Sequence, residues 1–191
     1  MYRSKTVDPL SDAKLVRRAR SGEGSAWDDL VRQHQDSVFR LAYLLLGDPD
    51  EAEDVAQETF IRTLQHLDRF DESLPLRPWL LRIASNLSRN RKRAVGRYWN
   101  ALQRLGRREI EAGQGLDHDN SQLLWQAIRR LKHADQQMIY LRYFLELPEA
   151  EMASILDVPR GTVKSRLHRG LNRLRNIVET EFPDLQTNLN A

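Results

Sequence analysis

Apolar residues in this chain recur every three or four positions and show no sustained two-residue alternation, so the pattern predicts helices throughout. A first helix is expected from Ser11 to Ser21, capped by Ser11 and stopped by Gly22. Ser25 followed by Asp28 resembles a capping box that opens a long helix to about Leu46. Trp27, Leu30, Val31, His34, Val38, Leu41, Ala42 and Leu45 share one face of it, and Gly47 ends it. Asp48 and Pro49 start a third helix with Ala52, Val55, Ala56, Phe60, Leu64 and Leu67 inward. Pro75 and Pro78 mark the start of a fourth, whose Trp79, Leu80, Ile83, Ala84 and Leu87 face the same core before it runs into the basic residues 89–93. These four helices predict a first domain over residues 11–95. Residues 96–119 read as a flexible linker, basic at first and then rich in Gly and Asp, with Trp99, Leu102 and Leu105 able to form a helical turn. Helices at about 121–131 and 135–146 and a helix pair beyond them predict a second, smaller domain over 120–180, with a frayed polar tail after Pro183. The fold class is therefore all-α, two small helical domains.

The helix pair carries the sharpest signal. Pro148 suits a first helical position, Ala153 is small where helices cross, and Leu156 and Val158 flank a turn at Asp157. Asp tolerates the left-handed backbone of such turns, less readily than Gly. Pro159 opens the second helix. At about 100° per residue, Val163, Leu167, Leu171 and Leu174 form an inward stripe, and Thr162, Ser165, His168, Arg169 and Asn172 lie opposite, flanked by Lys164 and Arg166. This is the layout of a DNA-binding helix-turn-helix, whose second helix reads base edges with its N-terminal half. An ordinary amphipathic helix with a solvated charged face is the bland alternative. The coincidence of turn, proline and basic face favours DNA.

Composition narrows the classes. The 191 residues are 40% hydrophobic and 30% charged, with no cysteine, which removes disulfides, thiol catalysis and cysteine-bound zinc. The longest apolar stretch, Leu41 to Leu46, is far too short to cross a membrane, and no export signal is evident at the N-terminus, so a cytoplasmic protein without membrane insertion is expected. The net charge of +3 conceals blocks. Residues 1–76 hold 10 Lys/Arg against 15 Asp/Glu, a net of −5, and residues 77–111 hold 10 against 2, a net of +8. Residues 112–158 hold 4 against 7, and residues 159–191 hold 6 against 3. Two separated positive blocks suit two contacts with a polyanion, and the acidic surfaces suit a basic protein partner; simple solubility would not segregate charge so strongly.

Two further constellations bear on function. Residues 48–60 carry six carboxylates and no base. Asp54, Gln57 and Glu58 fall on one exposed side there, a docking face for a basic protein surface or, equally, a solvated helix. Residues 68–93 lead from Phe70 through a Pro75 loop into a helix bearing Arg77, Arg82, Arg89, Arg91, Lys92 and Arg93, with Asn86 and Asn90 one turn apart. Cations at this density supply phosphate affinity, and paired amides can read exposed bases. Catalysis is not supported. His34, His66, His118, His133 and His168 show no metal-ligand spacing, and neither a phosphate-cradling glycine loop nor a set nucleophile is present. No catalytic residue, metal or cofactor is expected, and His34 reads as a core-edge residue.

The order DPDEAEDVAQETFIRTLQHLDRF, LRPWLLRIASN, linker, LPEAEMASILDVPRGTVKSRLHRGLNRLR resembles the extracytoplasmic-function branch of the bacterial sigma-70 family, from about Asp12 to Arg175. The resemblance implies a non-enzymatic initiation subunit that binds core RNA polymerase and directs it to promoters. Residues 11–95 would be its region 2 and residues 120–180 its region 4. Asp54, Gln57 and Glu58 would meet the polymerase clamp helices, and the second domain the flap. Phe70, Arg77, Arg82, Ile83, Ala84, Asn86, Arg89, Asn90 and Arg93 would serve capture of a flipped −10 base and the opened strand. Thr162, Lys164, Ser165, Arg166, His168 and Arg169 would read the −35 element. The linker would thread toward the RNA exit path, and an anti-sigma partner is expected. Asp157 stands where the family frequently has Gly, and Leu76 and Pro78 stand where an aromatic and a small polar residue are common. Two other readings remain: a free-standing helix-turn-helix regulator whose first domain senses a ligand or dimerises, and a helical enzyme or adaptor. The +8 block is out of place in a ligand pocket.

Overall fold

A computed structural model describes residues 9–104 and 120–183, and every regular element among them is helical. The elements are α1 (Pro9–Arg20), α2 (Gly24–Leu46), α3 (Pro49–Gln65), a 3-10 turn (Leu67–Arg69) and α4 (Leu76–Arg104). After them come α5 (Asn120–Arg130), α6 (His133–Ile139) continued by a π-helical turn (Tyr140–Phe144), α7 (Glu149–Leu156) and α8 (Arg160–Glu181). Of the expected linker over 96–119, residues 105–119 lie outside the described residues, as does the tail from 184.

In the N-terminal half α2 packs against α1, α3 and α4. Its Leu30, Val38, Leu41 and Leu45 are at most 1% exposed, and they meet Ala52, Val55 and Phe60 of α3 and Leu76, Leu80, Leu81 and Ala84 of α4. Full burial of a leucine contributes about 1.5–3 kcal/mol, so this face fixes the bundle. α1 is held by Val16 and by a buried polar pair: His34 Nε2 lies 3.1 Å from Asp12 Oδ1, which also accepts from Gln33 at 2.9 Å. His34 is thus fully buried rather than at the core edge. In the C-terminal half α8 packs on α5, α6 and α7. Arg173 donates to both carboxylate oxygens of the buried Asp135 at 2.8 and 2.7 Å, and the buried Gly170 of α8 faces the same residue.

The helix boundaries refine the sequence pattern. α1 begins at Pro9, which leaves Ser11 inside the helix rather than capping it. Ser25 lies inside α2, whose N-cap is Glu23, because the left-handed Gly22 (φ 88°) reverses the chain earlier than the serine. The Ser25 hydroxyl donates to the Glu23 carboxylate instead. Asp48 does cap α3, accepting from the Glu51 N–H at 2.9 Å. Leu64 is 52% exposed, and Thr59 and Thr63 occupy the inner line in its place, their hydroxyls donating to the carbonyls four residues back. Ile83 is half-buried, while Leu81 is fully buried. α4 continues to Arg104, beyond the expected end of the first domain. Pro148 and Pro159 are N-caps, one position before the helices they open.

The two halves touch. α4 packs against α7, and α2 against α6 and the π-helical turn. Gln137 donates to the buried Ser85 hydroxyl across this seam, and Arg77 donates to the Leu145 carbonyl at 3.3 Å.

Candidate nucleic-acid and polymerase interfaces

The turn between α7 and α8 is made by Asp157 in the left-handed region (φ 55°, ψ 50°), with the Val158 N–H bonded to the Ala153 carbonyl at 3.1 Å. The Pro159 carbonyl then accepts from Thr162 and Val163, which starts α8 squarely. Val163 is fully buried, and Leu167, Leu171 and Leu174 pack against the core as the stripe predicts. Lys164, Ser165, Arg166, His168, Arg169 and Asn172 are exposed, and Thr162 is half-buried. Local bonds order this face: Ser165 Oγ donates to the Thr162 carbonyl at 3.1 Å, Arg169 Nε to the Ser165 carbonyl at 3.2 Å, and Asn172 lies 3.2 Å from His168 Nε2. The ion pairs of α8 lie outside this stretch, at Arg160–Glu149, Arg173–Asp135 and Glu181–Arg130. Among the described residues Lys164, Arg166 and Arg169 meet no carboxylate, so their charge is available to an anion.

Apart from the half-buried Ile83, the −10 candidates of the first domain divide into three groups. Asn86, Arg89, Asn90 and Arg93 are exposed on α4 at helical spacing, with Arg89 donating to the Asn86 side-chain carbonyl at 3.0 Å. Arg77 and Arg82 face the C-terminal half. Arg82 bridges to Asp157 at 3.1 Å, and burial holds the Arg77 guanidinium below its ordinary pKa, with Glu151 and Glu146 partly offsetting. Phe70 and Ala84 are buried: Phe70 stacks on Trp79 with ring centroids 4.9 Å apart, and Ala84 has no exposed surface. They shape the surface from beneath.

On α3, Asp54 and Gln57 are exposed and Glu58 is half-buried. Arg91 of α4 reaches Asp54 at 3.3 Å and Glu51 at 2.9 Å, while Arg62 bonds Glu58 at 2.7 Å. This acidic face is therefore partly neutralised from within. Ile61 (51% exposed) and Leu64 extend it with apolar surface that the sequence reading missed. The signal was ambiguous, since Leu64 is also four residues after the buried Phe60.

With this geometry in view, the Sigma-70 region 2 family matches residues 30–98 and the Sigma-70, region 4 family matches residues 121–174. The ECF RNA polymerase sigma factor SigW of Bacillus subtilis is 36% identical over 182 residues, 85% of this chain and 94% of that protein. SigE of Mycolicibacterium smegmatis is 37% identical over 168 residues, covering 79% of this chain and 61% of its own. The RNA polymerase sigma-H factor of Pseudomonas aeruginosa is 30% identical, covering 83% and 89%. Among solved structures, CnrH in complex with the cytosolic domain of CnrY aligns with a TM-score of 0.68 at 24% identity over 90% of this chain and 99% of its own. The sigma factor RpoE of Bartonella quintana, in complex with the anti-sigma factor NepR, aligns at 0.63 and 22% over 81% and 97%. These two likenesses are of fold. Family matches in both halves, together with an identity above 30% over nearly the full length of a relative, decide the assignment: the chain belongs to the extracytoplasmic-function branch of the sigma-70 family of RNA polymerase sigma factors.

Proposed function

We propose that the protein divides its work between residues 11–95, which act as region 2, and residues 120–180, which act as region 4, with residues 96–119 joining them. Asp54, Gln57 and Glu58, extended by Ile61 and Leu64, dock on core RNA polymerase. Asn86, Arg89, Asn90 and Arg93 hold the opened −10 strand, and the exposed N-terminal half of α8 reads the −35 duplex. The protein acts in the cytoplasm, contributes no catalysis of its own, and is restrained by an anti-sigma partner; RpoE of Bartonella quintana, of like fold, forms a complex with the anti-sigma factor NepR. The observation that carries this reading is the pairing of two open basic faces, one with amides at base-reading spacing and one on α8, where Lys164, Arg166 and Arg169 meet no carboxylate among the described residues.

Transcription in vitro with purified core enzyme tests it. Arg169→Ala is expected to weaken upstream promoter recognition by about 1–3 kcal/mol if the guanidinium makes a good base contact. Asn86→Ala is expected to impair strand opening more than polymerase binding. Tight duplex binding without any affinity for core polymerase would favour a free-standing regulator instead.

A further inference from the structure

The loop from Phe70 to Pro75 is held from behind by the last residue of α1. Arg20 Nε and Nη2 donate to the Leu67 carbonyl at 2.9 and 2.7 Å, Nη2 also donates to the Phe70 carbonyl, and Nη1 meets the Glu72 carboxylate. Arg17, three residues earlier on α1, approaches the same carboxylate at 3.5 Å. The Arg20 side chain retains 22% exposure and Glu72 28%, whereas Asp71, Ser73 and Leu74 are open. The planar guanidinium fork thus occupies the inner side of the loop and leaves its outer side free. The tip braces itself: Asp71 Oδ1 accepts from the Ser73 N–H at 2.9 Å and from its hydroxyl at 2.7 Å, and the Leu74 N–H bonds to the Asp71 carbonyl at 3.0 Å.

We infer that Arg20 is a positioning residue for strand capture: it fixes the Leu67–Glu72 backbone so that the loop meets an unpaired base already in its binding conformation. The inference rests on the reading that this loop and α4 engage the opened strand. A segment ordered before binding loses little freedom on contact, and that matters where the partner must first be unstacked. The anchoring of α1 does not depend on Arg20, because Val16 and the Asp12–His34 pair hold that helix independently. The role therefore separates from folding.

The experiment uses full-length variants reconstituted with core RNA polymerase on a promoter the wild type opens. It reads core affinity by fluorescence anisotropy, helical content by circular dichroism and strand opening by a fluorescent base in the opened region. Arg20→Ala is expected to open about tenfold more slowly with core affinity and helical content unchanged. Arg20→Lys recovers only part of the rate, since a single ammonium nitrogen replaces the rigid fork that spreads these bonds over three nitrogens. Glu72→Ala, which leaves both carbonyl bonds in place, loses less. Full recovery by lysine, a parallel loss of core affinity, or wild-type opening by Arg20→Ala would each overturn the inference. Asn86→Ala in the same assay separates the levels: if it slows opening while Arg20→Ala does not, the strand-capture reading stands and the role of Arg20 falls. If neither slows opening, the reading itself fails.

Discussion

Gly47 shows how a single backbone position sets the direction of a chain. It ends α2 with φ 79° and ψ 6°, its N–H closing on the Tyr43 carbonyl at 2.8 Å, and the next residue already caps α3. A left-handed conformation costs a residue with a Cβ about 1–2 kcal/mol. A Cβ here would also stand 3.1 Å from the Arg129 guanidinium, the far end of a flexible side chain that can move aside. The backbone term should therefore dominate. Gly47→Ala is expected to lower stability by about 1–2 kcal/mol, read as a shift of the urea midpoint at constant slope. An unshifted midpoint would mean that the α2–α3 corner tolerates another backbone path.

The helix-turn-helix corner poses the same question for an element, with an acid in place of the glycine. Asp157 adopts the left-handed conformation and bridges to Arg82, but its side chain is 77% exposed. An exposed pair contributes about 0–1 kcal/mol, so the turn conformation should matter more than the charge. Asp157→Asn, which keeps a residue tolerant of that backbone, is expected to stay within about 0.5 kcal/mol of wild type. Asp157→Val, with a branched Cβ in a region such residues avoid, should cost about 1–2 kcal/mol. Thermal unfolding of both variants checks the order, and a costlier Asn variant would transfer the weight to the ion pair. This corner was legible in the sequence because prolines, small residues and an apolar stripe all mark it. Four N-terminal helices and the exposed faces of α4 and α8 were legible for the same reason: period and charge agree there. What escaped was decided across the fold. Leu64 and Thr63 compete for one inner line, and only α2 and α4 determine which is buried. Arg20 reads as one more surface arginine until the chain returns with Leu67, Phe70 and Glu72.

At the scale of the molecule, the seam between the halves engages part of the basic surface proposed to meet DNA. Arg77 and Arg82 already hold the Leu145 carbonyl and Asp157. On the proposed reading, phosphates that take up these arginines must compete with the seam. His133, at the start of α6, lies on it with Nε2 buried and unbonded among the described residues. Burial holds its pKa below the ordinary imidazole value, and Lys92, Arg89 and Arg93 of α4 add repulsion. The folded protein thus resists protonating this ring, while the unfolded chain protonates it near pH 6.5. Below that pH the unfolded state binds more protons, so the His133 contribution is full above the ordinary imidazole pKa and is lost as pH falls. Glu151, raised by burial, contributes the opposite slope, which makes the difference between two proteins the proper measure. Between about pH 7.5 and about pH 5.5 the melting temperature of wild type is expected to fall more than that of His133→Gln, which cannot charge. Parallel melting curves would show that the imidazole is relieved elsewhere. A steeper wild-type fall would show that the His133 ring, desolvated by burial and facing Lys92, Arg89 and Arg93, resists protonation in the folded protein.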